Sequence, residues 1–137
     1  MNDVAIIVPA TITLGDVAQV LARSWSLDPD LVQPSVELNP SEFAYVTEIE
    51  VTPEVEEEMF LEDPVIPDVI RRDFGDYRLL ALRYTSPRLA RDMTRAIASS
   101  ELAHRPMLLD ADGAFLSARD FLARLDEIPA WDWLTGK

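Results

Sequence analysis

Apolar residues recur along this chain in two spacings, and the switches between them mark out its elements. Val4, Ala5, Ile6, Ile7 and Val8 run together and stop at Pro9, which reads as a buried strand. From Leu14 the spacing changes. Leu14, Val17, Ala18, Leu21, Ala22 and Trp25 fall on one face of a helix, predicted over residues 14–26. Thr13 is its N-cap, Asp16 completes a capping box, and Ile12 and Val17 occupy the staple positions. Asp28 and Pro29 stop it, because proline excludes the helical conformation from the residue before it.

Between Pro34 and Pro40 the pattern is ambiguous, with Val36 to Leu38 the one segment fit for a short edge strand. Alternation returns over 43–51. Phe43, Tyr45, Thr47, Ile49 and Val51 share one face; Glu42, Ala44, Val46, Glu48 and Glu50 share the other. Thr52 and Pro53 then open a short helix. Pro64, Pro67 and Gly75 make residues 62–76 read mostly as loop, with a brief helical turn at Val69 and Ile70. Tyr77 to Thr85 is a strand, with Arg78 and Arg83 on opposite faces. Ser86 and Pro87 start a helix that buries Leu89, Met93, Ala96, Ile97 and Ser100 and exposes Arg88, Arg91 and Arg95. A hairpin follows, Pro106 to Asp110 and Ala114 to Leu116, turning at Asp112 and Gly113. Ser117 and Asp120 cap a last helix that runs to about Asp126, and the tail from Ile128 to Leu134 is strongly apolar. The order is mixed, without a regular crossover repeat. It predicts an α+β fold of two layers, a mainly antiparallel sheet with helices on one face, and a single domain over residues 1–137.

Charge changes the picture more than composition does. The chain has 137 residues and a net charge of −13. Residues 24–70 hold 13 acids and no Lys or Arg, and the remaining acids are matched by 12 bases. The whole imbalance therefore sits in one continuous third. Direct binding to nucleic acid or anionic lipid through that surface is disfavoured, because each phosphate meets repulsion. A basic partner suits it; the simpler reading is that the acids only maintain solubility. The longest apolar stretch, Val4 to Ala10, is too short to span a bilayer, and no secretion signal is evident, so a cytoplasmic location is expected.

Candidate chemistry is sparse. There is no Cys and one His, His104, which rules out disulfides, thiolate metal sites and Cys/His hydrolases. Asp110, Ala111, Asp112 and Gly113 begin like a calcium loop, but the twelfth position is Phe121 where a glutamate is needed. No glycine cluster cradles a phosphate. Arg88, Arg91 and Arg95 are spaced like a solvated helix face, with Asp92 to pair them. No catalytic residue, cofactor or metal is expected. The informative segment is Glu54 to Asp63, where acids surround Met59, Phe60 and Leu61. An apolar anchor ringed by charge is the anatomy of a binding patch. The expected partner-binding residues are Glu48, Glu50, Glu54, Glu56, Glu57, Glu58, Phe60, Glu62 and Asp63. Phe60 is the expected anchor, exposed in the free protein. Neutralising Glu54, Glu56, Glu57 and Glu58 is expected to leave stability unchanged or raised. Trp131 and Trp133 either clamp the terminus to the core or form a second set of anchors.

From Arg78 to Leu125 the succession of strand, Ser86–Pro87 cap, Met107 to Asp110, Asp112–Gly113 turn and Phe115 to Phe121 resembles immunity proteins of bacterial toxin systems. The likeness covers about a third of the chain and rests on caps and turns. It implies a small, acidic, non-enzymatic inhibitor whose partner is a toxin domain. Many such toxins act on nucleic acid or nucleotides, so the cleft to be occluded is basic. The alternative is a phage-type nucleic-acid mimic that inhibits a nuclease or a DNA-binding protein. No catalytic residue carries over from the family.

Overall fold

The apolar run near the start of the chain becomes β1 (Asn2–Pro9), and it lies inside the sheet. The computed structural model describes residues 2–27, 33–61, 66–111, 114–128 and 133. β1 pairs antiparallel with β4 (Tyr77–Tyr84) on one side and β5 (Leu108–Ala111) on the other. β4 continues to β3 (Glu42–Ile49) and β2 (Ser35–Asn39), and β5 to β6 (Ala114–Ser117). The result is one six-stranded sheet in the order β2-β3-β4-β1-β5-β6 with every pairing antiparallel, an α+β fold as the sequence predicts.

Strand alternation divides the apolar residues between two faces. Val4, Ile6 and Val8 of β1, Leu80, Leu82 and Tyr84 of β4, and Ala44 and Val46 of β3 face the larger core. That core is closed by three helices: α1 (Leu14–Leu21), α4 (Pro87–Ala98) and α5 (Ala118–Glu127). Their starts follow the predicted caps. Thr13 and Asp16 make the reciprocal capping box, Ser86 Oγ accepts from the Leu89 N–H, and Ser117 Oγ from the Asp120 N–H. Ile7 and Leu79 point the other way, into a smaller core. There they meet α2 (Pro53–Met59) and α3 (Ile66–Phe74), which add a partial layer on the second face, beyond the single helical layer expected.

Two predicted elements differ in extent. α1 ends at Leu21, short of residue 26, because the amides of Arg23 and Ser24 bond three residues back and tighten the chain into turns. Residues 66–74 form the helix α3 where mostly loop was expected. Pro67 sits in the first helical turn, where its missing N–H costs nothing. Asp68 near the start and Arg71 and Arg72 near the end suit the helix dipole. Gly75, at φ +65°, closes it, its N–H bonded to the Arg71 carbonyl. The proposed turn at Asp112 and Gly113 and the residue Trp131 lie outside the described residues. Trp133 is fully buried against Phe121, so it acts as a clamp rather than an exposed anchor.

Candidate functional site

α2 carries four of the nine predicted site residues, Glu54, Glu56, Glu57 and Glu58. Thr52 Oγ1 accepts from the Val55 N–H at 3.2 Å, and Pro53 fills the first helical position. Val55 and Met59 pack toward the sheet, in the smaller core. Glu54 lies in the first turn, where a carboxylate is favoured, but Glu57 and Glu58 crowd the negative end, and no base answers them there. Placing acids against the helix dipole costs local stability. Such a violation of a local rule marks a functional surface more often than a structural one.

The four glutamates of α2 divide into two sets. Glu54, Glu57 and Glu58 are exposed, and so is Glu50 in the approach to the helix. Among the described residues none of these four side chains makes an ion pair or hydrogen bond. Glu56 turns inward instead. It accepts from the Tyr77 hydroxyl at 2.5 Å and from Arg71 at 2.5 Å, tying α2 to β4 and α3. Burial, with help from the Glu56 hydrogen bond and charge, pushes the Tyr77 hydroxyl well above its ordinary pKa, so it remains a proton donor. Glu56 is thus a structural tie, which corrects the expectation that all four acids are dispensable for stability. Glu56→Ala should cost about 1–2 kcal/mol in chemical denaturation, because it leaves the half-buried Tyr77 hydroxyl unpaired. The triple change of Glu54, Glu57 and Glu58 to Gln should leave the melting point unchanged or raise it.

The other predicted residues are scattered more widely. Glu48 lies opposite Leu80 in the β3–β4 register, and Leu80 belongs to the larger core. Glu48 therefore faces away from α2, and it pairs with Arg78 at 2.9 Å. Its alternation with Glu50 placed both on one side; the strand ends at Ile49, and Glu50 leaves the sheet. Glu62 and Asp63 lie outside the described residues.

The predicted anchor is corrected. Phe60 is only 4% exposed and belongs to the smaller core. α2 ends at Met59, and Phe60, as C-cap, leaves the helical conformation with φ −112° and ψ 25°. This swings its ring onto Phe115, 5.4 Å away between centroids. Leu61 takes the exposed place, at 69%. It borders a cleft of about 320 Å³ between α2 and the start of α3, lined also by Pro53, Glu57, Phe60 and Pro67. A second groove of about 300 Å³ runs along the other flank of α2, over the row of the sheet formed by Ala5 and Ala81.

The exposed glutamates of α2 and the arginines of α4 and α5 lie on opposite faces of the sheet, although α4 and α5 also carry Asp92, Asp120, Asp126 and Glu127. Arg88, Arg91 and Arg95 lie on α4, and Arg119 and Arg124 on α5, all across the sheet from α2. On the α2 side Arg71 is engaged by Glu56 and Arg72 by Asp73, and Arg83 of β4 stands opposite Asp3 on the same face of the sheet. His104 is the last residue of a single 3-10 turn, Glu101–His104, whose Glu101 is held near 2 by the Arg23 guanidinium. Among the described residues no group of His, Asp and Glu is gathered closely enough to hold a metal ion. No helix of the described residues is long and apolar enough to cross a membrane. Comparison with protein-family models, curated proteins and solved structures finds no match to this chain.

Proposed function

We propose that this is a non-enzymatic binding protein, an immunity-type inhibitor that covers the basic active-site cleft of a toxin domain with its α2 face. One observation carries the reading. Four uncompensated carboxylates, Glu50, Glu54, Glu57 and Glu58, stand around α2, whose end exposes Leu61, on the side of the sheet away from the arginines of α4 and α5. A cluster of exposed carboxylates without bases beside them steers a basic partner toward that face. Leu61 then supplies the apolar contact that sets the lifetime of the complex. A protein made acidic only for solubility would spread its carboxylates and pair more of them.

The test is kinetic, on a complex of this protein with a basic toxin domain. Raising salt should slow association steeply, because the Debye length is only about 8 Å near 0.15 M, and should change dissociation little. Leu61→Ser should do the opposite, speeding dissociation by about 30-fold for a hot spot worth about 2 kcal/mol. An association rate indifferent to salt would remove the acidic face from the interface.

A further inference from the structure

The groove on the second flank of α2 has a composition that specifies its occupant. Its floor is Ala5 of β1 and Ala81 of β4, which are cross-strand partners. In the next row toward α2 the same two strands present Ile7 and Leu79, which α2 and α3 cover. The floor is therefore the first row beyond the helices. Val55 and Met59 form the wall, Glu58 the near rim, and Asp3 the far end. Arg83 lies beside Asp3, as its partner in the β1–β4 register, so positive charge is already supplied at that end. None reaches the Glu58 end, since Glu58 makes no ion pair among the described residues.

We infer that this groove receives one long cationic side chain, an arginine or lysine, from the basic protein that the α2 face binds. The inference rests on the proposed function and adds to it the residue type that enters. A narrow apolar floor takes the methylene stem of such a side chain, while its head group stays at the wet rim beside a carboxylate. A leucine or phenylalanine would fill the floor but leave Glu58 partly desolvated without a partner. An acidic side chain would be repelled. The volume of about 300 Å³ accommodates a single extended side chain with solvent around its head.

The experiment uses the whole protein, labelled with 15N and with 13C in its methionine methyls. The probes are two blocked pentapeptides at millimolar concentration, Gly-Gly-X-Gly-Gly with arginine or its neutral isostere citrulline at X. The arginine peptide should shift the amides of Ala5 and Ala81 and the methyl of Met59 in a saturable way. Glu58→Gln, a surface change that leaves the fold intact, should weaken that binding about fivefold, the upper range for a solvent-facing ion pair. The citrulline peptide should be weakened to a similar degree. Equal binding of the two peptides would overturn the inference, since charge would then play no part. Shifts gathered at Glu54, Glu57 and Leu61 with the groove silent would also overturn it, and would leave the acidic-face reading standing. An absence of shifts overturns the groove alone, because the salt series judges the acidic face independently.

Discussion

Phe60→Ala unfolds at a much lower denaturant concentration than the parent protein, with a loss of about 3–5 kcal/mol. The ring is 4% exposed and closes the smaller core over Ile7, Ile70 and Leu79. Truncation removes its transfer free energy and its tilted contact with Phe115, and leaves a void that two short helices fill poorly. Besides Phe60, α2 is held by Val55, Met59 and the ties from Glu56 to Tyr77 and Arg71. It is seven residues long, too short to be stable alone, and its last turn is acidic without a base. Loss of Phe60 therefore loosens α2 as a whole. The folded fraction of the variant should dissociate from its partner faster only to the extent that α2 is displaced. Equilibrium denaturation measures the first effect. A loss below about 1 kcal/mol would mean that the site collapses around the missing ring and that Phe60 is no keystone of this layer.

Trp133→Ala has a comparable effect on the opposite face. Trp133 is completely buried and meets Phe121 edge-on, with centroids 4.9 Å apart and planes at 88°. Replacing a fully buried tryptophan by alanine costs about 3–5 kcal/mol, and an edge-to-face pair adds to area burial. The change also has a spectroscopic signature. Trp25 is half-buried, whereas Trp133 has no solvent contact, so the native tryptophan emission should lose blue-shifted intensity with Trp133. A variant with native stability would show that the larger core closes without this residue.

The elements most legible in the sequence are those specified by neighbours in the chain. Thr13 with Asp16, Ser86 with Pro87, and Ser117 with Asp120 are local devices, and each starts a helix where predicted. Alternation in β3 and β4 likewise places Ala44, Val46, Leu80 and Leu82 in the core. α3 was hidden because Pro67 is a breaker in mid-helix and harmless in a first turn, and only the whole frame tells which applies. Asp68, the Arg71–Arg72 pair and Gly75 were the available signals. The site was legible in its charge and not in its geometry. Glu56 is captured by Arg71 and Tyr77, and Phe60 by Phe115, residues 15, 21 and 55 positions further on. No linear pattern reports such distant partners. They decided which of four similar glutamates is structural and which of three adjacent apolar residues faces water.

The sheet order has a consequence for how the molecule is made. β1 takes its place between β4 and β5, and its register runs from Asn2 opposite Tyr84 to Pro9 opposite Tyr77. A strand with partners roughly 70 to 100 residues downstream must wait for them, and contacts of that span slow folding. At translation rates of about 5–20 residues per second, the wait lasts several seconds. Throughout it, Val4 to Val8 is an unpaired β-prone segment without a single charge, the kind that pairs with copies of itself. Asp3, immediately before that run, is well placed to act as a gatekeeper during synthesis.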